Sequence, residues 1–230
     1  MFGRGARVYL VPLYNHAKRG GGRLSRRLEA ALVWWCRFLE AGPTSRVAYA
    51  PPERRRVILY TDATGGGRVA WTLDCGDGRR EWAAAQTPRW LRRKVQRRRA
   101  QVATWELCAA LAAVWALLDR EGFQVGECEV LLFVDSNVAL GTLRKGYSKE
   151  WDWNALAAEF WFRLADAGLS LRAFRVPSGQ NLADAPTRSD KVREMREMEA
   201  AGFAERRWRW PRRWLERCWP AALAPGPSEG

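Results

Sequence analysis

Val130-Leu131-Leu132-Phe133-Val134 is the segment that most narrows what this chain can fold into. Its apolar residues run without interruption over the length of a strand, and Asp135-Ser136 follows at once. Such a run lacks the polar alternation of a half-solvated strand, so it predicts a strand buried on both faces. Val57 to Asp62 reads as another strand, entered from Pro51-Pro52 and a basic run. Gly65-Gly66-Gly67 turns the chain, Arg68 to Asp74 returns as a second strand, and Gly76-Asp77-Gly78 leads to a weaker third, Arg79 to Ala84. A long helix reads from about Val102 to Arg120, closed by Gly122. After the apolar strand come helices from Asn137 to about Arg144 and from about Trp151 to Ala167, then a fifth strand, Leu169 to Val176. Asn181 to about Ala201 reads as helical with a break near Pro186. This order predicts an α/β fold: a mixed five-stranded sheet flanked by helices, with an antiparallel meander first and parallel strands after it.

The flanks differ in composition. Residues 1–27 are basic and Gly-rich, and a helix from Leu28 to Glu40 carries Leu28, Ala31, Leu32, Trp35 and Leu39 at helical spacing before Gly42-Pro43. From Arg206 to Trp219 the chain interleaves Arg and Trp. The organisation expected is a basic N-terminal segment with one helix (1–50), the α/β domain (51–190) and a Trp/Arg-rich C-terminal tail (191–230).

Charge bounds the partner. The 230 residues carry 39 Lys+Arg against 25 Asp+Glu, a net +14, and Arg far outnumbers Lys. That balance favours a polyanion, because each neutralised phosphate releases condensed counterions and the planar guanidinium suits phosphate oxygens. Cys36, Cys75, Cys108, Cys128 and Cys218 form no CxxC pair, which argues against a zinc site or disulfide framework and for a reducing compartment. No apolar stretch is long enough to span a bilayer and no charged-then-apolar leader opens the sequence, so the expected setting is intracellular, nucleus or cytoplasm, and not secreted. His16 is the one histidine and lies in the basic leader, which gives histidine-based catalysis little support.

Four carboxylates stand in costly places. Asp62 ends an apolar strand where glycines begin, and a turn aspartate is the competing reading. Glu106 shares a helix face with Ala110, Ala113 and Leu117; buried there it must be paired, protonated or metal-bound, unless the row's N-terminal end reaches solvent. Asp135 ends the apolar strand, where α/β sites form, although Asp135 or Ser136 also suits a helix cap. Asp184 follows Asn181 at near capping-box spacing, a credible structural role. Brought together, four carboxylates would repel one another, so such a site makes sense with hard divalent cations such as Mg²⁺ or Mn²⁺.

Around these residues the sequence resembles type 1 ribonuclease H domains, of the kind attached to retroelement reverse transcriptases. The resemblance rests on Tyr60-Thr61-Asp62-Ala63-Thr64-Gly65-Gly66-Gly67, Trp105-Glu106-Leu107-Cys108, Phe133-Val134-Asp135-Ser136-Asn137 and Asn181-Leu182-Ala183-Asp184-Ala185-Pro186-Thr187-Arg188, and it covers about residues 55–190. The last motif is the most specific and follows a strand ending in Val176-Pro177. The resemblance implies a ribonuclease H-like sheet and a metal-dependent endoribonuclease that cuts the RNA strand of RNA–DNA hybrids. Asp62, Glu106, Asp135 and Asp184 would be its catalytic metal ligands in a two-ion scheme. Thr64, Gly65 and Gly66 would lie near the hybrid, Asn137 would contact RNA through a 2′-hydroxyl, and Arg188 would face nucleic acid. A polymerase domain in a larger polyprotein is a further implied partner. Two features depart from the family pattern. Arg175 stands about where many members have a loop histidine, which implies slower turnover, and the strongest basic run precedes the glutamate helix. In that run Arg92, Arg93, Arg97 and Arg98 are expected to grip the DNA strand.

The aromatic residues Trp105, Trp115 and Trp161 fit core positions, whereas Trp208, Trp210, Trp214 and Trp219 fit either base stacking or packing of a terminal helix. Two other readings remain beside the nuclease. One is a non-catalytic nucleic-acid-binding relic or scaffold of the same fold, and the other a related nuclease directed at DNA.

Overall fold

The computed structural model describes residues 6–40, 55–120 and 128–211. Its strands are β1 (Arg55–Ala63), β2 (Arg68–Asp74), β3 (Arg80–Gln86), β4 (Cys128–Val134), β5 (Ser170–Arg175) and β6 (Phe203–Glu205). They form one sheet in the order β5-β4-β1-β2-β3-β6. The pairs β1–β2 and β2–β3 are antiparallel, while β1–β4, β4–β5 and β3–β6 are parallel. The mixed sheet with a meander first and parallel strands after it is therefore present, but with six strands instead of five. The sixth comes from the segment read as a C-terminal tail. A three-residue strand carries too little pattern to show in sequence; it exists because the edge of β3 offers it unpaired backbone groups.

The helices are α1 (Ala6–Lys18), α2 (Arg26–Glu40), α3 (Arg89–Arg92), α4 (Val102–Leu118), α5 (Asn137–Lys145), α6 (Trp151–Asp166), α7 (Asp184–Thr187) and α8 (Val192–Ala200). From Thr104 to Leu117 every residue of α4 but Trp115 is buried. A helix apolar on all sides belongs inside, and its alanines (109, 110, 112, 113 and 116) let it lie close between β1, β2 and α6. β4 alternates, with Val130, Leu132 and Val134 fully buried and Leu131 and Phe133 only half-buried. Its second face is thus less covered than the unbroken apolar run predicts. There Phe133 stacks between Tyr60 and Phe174, at 4.8 and 5.5 Å, so lateral aromatic packing replaces part of an overlying helix.

The basic leader contains a helix, α1, which pairs with α2 through Tyr9 stacked on Trp34 at 4.4 Å and a bond from Trp35 Nε1 to the Tyr9 carbonyl. His16 lies on this helix. The helical stretch expected over 181–201 with a break near Pro186 consists of the single turn α7 and then α8, parted just after Pro186, and it is preceded by a 3₁₀ turn, Ser178–Gln180. Pro186 sits in the first turn of α7, where its missing N–H costs nothing, and its carbonyl accepts from Arg68 Nε at 3.1 Å. Trp105 is buried and Trp115 and Trp161 pack on the core as expected. Trp208 and Trp210 pack there too, in edge contact at 5.0 Å, whereas Gly42-Pro43, Pro51-Pro52, Gly122, Trp214, Cys218 and Trp219 lie outside the described residues. No described helix is long and apolar enough to cross a membrane.

Candidate metal centre

Asp62 is the penultimate residue of β1, cross-strand from Ala70, so it belongs to the sheet and not to the glycine turn. Asp135 stands one step beyond Thr61 and Val134, the last registered pair of the parallel strands β1 and β4. Parallel register thereby brings two sequence-distant aspartates to the same end of the sheet. Ser136 caps α5 by accepting from the Ala139 N–H at 3.3 Å, and this leaves the Asp135 carboxylate free of capping. Glu106 reaches the pair from α4 and is 1% exposed, so its place on the helix face is interior. One carboxylate oxygen from each of Asp62, Glu106 and Asp135 lies within 4.8 Å of the other two.

Each carboxylate is oriented by one donor. The Ala63 N–H donates to Glu106 Oε1 at 3.0 Å, Thr187 Oγ1 to Asp62 Oδ2 at 2.6 Å, and Ser178 Oγ to Asp135 Oδ2 at 2.9 Å. Glu106 Oε2 is buried and has no hydrogen-bond partner among the described residues. Burial pushes the Asp62 carboxyl up to about 6, opposed by the Thr187 hydroxyl and reinforced by Asp135 and Asp184. Burial also raises Glu106 well above the usual carboxylate range, with Asp62 and Asp135 adding repulsion. Hard oxygen donors, mutual repulsion and an orphaned buried oxygen are together the surroundings that a divalent cation would satisfy. The cluster opens into a cleft of about 530 Å³ lined also by Thr64, Gly65, Ser136 and Arg188.

Asp184 is close enough to act electrostatically on Asp62 and Glu106, yet its own carboxylate is engaged elsewhere. Arg188 Nε donates to its Oδ1 at 2.7 Å, and the Lys191 ammonium pairs with its Oδ2. Asn181 makes no capping box with it. The Asn181 amide donates to the Thr61 carbonyl at 3.0 Å and accepts from the Ala183 N–H, tying this segment to β1. Arg175 donates from Nε to the Asp135 carbonyl at 2.9 Å.

The residues expected at nucleic acid divide. Gly65, Gly66 and Asn137 are exposed and Thr64 is half-buried at the cleft. Arg93 and Arg97 are exposed, whereas Arg92 and Arg98 are bound into the fold. Arg92 donates to the Thr87 and Gly66 carbonyls at 3.0 and 2.5 Å, beneath the glycine turn. Gly67 has φ +77°, and a Cβ there would meet that guanidinium at 2.7 Å. Arg98 pairs with Asp152 and Glu150 at 2.5 and 2.8 Å and lies over the Trp153 ring. Sequence reasoning did not single out Thr187, Ser178 or Lys191. The first two stood inside or beside the quoted motifs, and Lys191 carried no signal.

No protein-family profile matches the chain, and no curated protein does. Among solved structures it is similar to ribonuclease H1 from the halophilic archaeon Halobacterium salinarum NRC-1, with 24% identity, 56% of this chain and 92% of that one covered, and a TM-score of 0.42. It is also similar to the N-terminal ribonuclease H domain of a Mycobacterium tuberculosis protein, solved as a fusion with maltose-binding protein. There the identity is 13%, the coverage 63% and 99%, and the TM-score 0.42.

Proposed function

We propose that the chain is a metal-dependent endoribonuclease of retroelement origin that cleaves the RNA strand of RNA–DNA hybrids. The observation that carries this reading is the meeting of Asp62, Glu106 and Asp135 from three separate elements, with one buried Glu106 oxygen left unpartnered. The sequence motifs around them and the net charge of +14 point the same way. Bound Mg²⁺ or Mn²⁺ would supply a Lewis acid that acidifies the attacking water and stabilises charge on the leaving 3′ oxygen. Asp62, Glu106 and Asp135 would hold the ion, with Thr187, Ser178 and the Ala63 N–H orienting their carboxylates. Thr64 and Gly65 line the cleft, and exposed Gly66 and Asn137 follow its lining residues in sequence; the RNA strand would lie there, with the Asn137 amide reading a 2′-hydroxyl. Exposed Arg93 and Arg97 contact DNA phosphates. A polymerase domain in a larger polyprotein is the partner that such an origin implies.

The test is cleavage of a labelled RNA–DNA hybrid with Mg²⁺ or Mn²⁺, alongside Asp62→Asn and an RNA–RNA duplex. Hybrid-specific cutting that Asp62→Asn abolishes is the expected result. Salt-sensitive binding without cutting in either metal would overturn it in favour of a non-catalytic binding module, a reading favoured by the engagement of Asp184 with two cations. Replacing Arg93 and Arg97 by Ala lowers the slope of log affinity against log salt by about 1 to 2, and an unchanged slope would remove both from the interface.

A further inference from the structure

We infer that Lys191 is a tethered cation standing in for a second divalent ion at Asp184, so that the chain binds one ion tightly and a second only weakly. The inference rests on the metal-centre reading above and concerns how that centre is filled.

The two halves of the acidic cluster differ in charge compensation. Among the described residues no Lys or Arg side chain lies within ion-pair distance of Asp62, Glu106 or Asp135; Arg188 acts on Asp62 only from farther away, and Glu106 Oε2 lacks any partner. Asp184, by contrast, has both oxygens occupied by the chain itself: Oδ1 by Arg188 and Oδ2 by the Lys191 ammonium. The Asp184 side chain is 6% exposed, that of Lys191 26% and that of Arg188 53%, so the carboxylate is buried while its cations reach partly into solvent. Two positive charges face this one carboxylate, and Glu194 is also close enough to act on Lys191. A divalent ion approaching Asp184 must displace the ammonium and meet the remaining guanidinium, and like charges this close oppose its entry. Backbone geometry holds the arrangement. The Asp184 N–H bonds to the Asn181 carbonyl at 3.0 Å, and the Lys191 carbonyl accepts from the Met195 N–H at 3.1 Å at the start of α8. Lys191 is therefore anchored at both its backbone and its charged end. Acting through Asp184, it is a positioning residue that sets ion number.

The experiment counts Mn²⁺ bound to the full-length protein by electron paramagnetic resonance of the free ion, using wild type, Lys191→Met and Lys191→Arg. Met keeps an apolar stem and removes the charge; Arg keeps the charge. Circular dichroism confirms that each variant is folded. The expected result is a single strong site in the wild type and in Lys191→Arg. In Lys191→Met a second ion should bind about tenfold or more tighter than in the wild type. Two ions of similar affinity in the wild type would overturn the inference while leaving the metal centre standing. So would a second site that Lys191→Met leaves unchanged. Absence of any bound Mn²⁺ in all three proteins would instead bring down the metal-centre reading itself, and this inference with it.

Discussion

Asp152, at the start of α6, and Glu106, in α4, are both withdrawn from water, at 0% and 1% exposure, and the chain treats them in opposite ways. Asp152 is fully compensated. Arg98 reaches both its oxygens, the Gln96 N–H donates at 3.0 Å, and its own helix adds the Trp153 N–H. Among the described residues Glu106 receives one backbone N–H and no cation, and it sits beside two further carboxylates. A buried charge that is matched internally organises a loop, here the basic run before α4. A buried charge left unmatched beside others of the same sign weakens the fold unless something from outside completes it. The difference marks which acidic residues serve architecture and which form the candidate site.

The sharpest way to break this contrast is to remove the compensation at Asp152. Arg98→Met should cost about 3–5 kcal/mol in urea unfolding by stranding a buried carboxylate, and adding Asp152→Asn should restore much of it. A loss below about 1 kcal/mol would mean that Arg98 is not what compensates Asp152 in the fold.

The next largest effect belongs to the uncompensated side and depends on pH. Asp62 titrates at about 6 in the fold, above the ordinary 3.8, so the folded state holds its proton more tightly than the unfolded chain. The stability tied to that proton is fully present below about pH 4 and lost as pH rises through about 6, a swing of roughly 3 kcal/mol. In chelator, wild type should therefore lose stability relative to Asp62→Asn between pH 4 and pH 7, and Mn²⁺ should restore it in the wild type alone. Parallel pH profiles for the two proteins would contradict the burial, reinforced by Asp135 and Asp184, that holds the Asp62 proton.

The smallest effect tests orientation. Thr187→Val removes the hydroxyl that faces Asp62 and should cost about 1 kcal/mol in chelator. It should also weaken Mn²⁺ binding by about tenfold, because the carboxylate loses the donor that fixes its rotamer. Unchanged Mn²⁺ affinity would make the Thr187 contact purely structural.

How far sequence reaches follows from the range of each interaction. The meander, the parallel strands and α4 are written in local apolar patterns, and the strand ends locate Asp62 and Asp135. The capping alternatives at Asp135 and Asp184 stay open in sequence because a cap and a ligand use the same residue type. Only the Ser136 bond to Ala139 and the two cations on Asp184 separate them. Arg97 and Arg98 are neighbours in one basic run, and what divides the exposed one from the half-buried one is Asp152, 54 positions past Arg98. Thr187 meets Asp62 across 125 positions, and no local pattern encodes that contact. α1 is hidden by Pro12 and by the basic composition around it, and it becomes helical against α2.

The amide of Asn181 on the Thr61 carbonyl has a mechanical meaning as well. It is a buckle. The strap it fastens carries Thr187 to Asp62, and Asp184 with its two cations to the edge of the cleft. Were the strap to lift, with the Asn181 and Arg68 bonds broken and Ala185 withdrawn from Trp82 and Met198, the orienting hydroxyl and the fourth carboxylate would depart together. The cluster would then revert to three carboxylates exposed to solvent on one side. Protection of the 181–188 amides against hydrogen exchange should rise and fall as one unit, apart from that of the sheet.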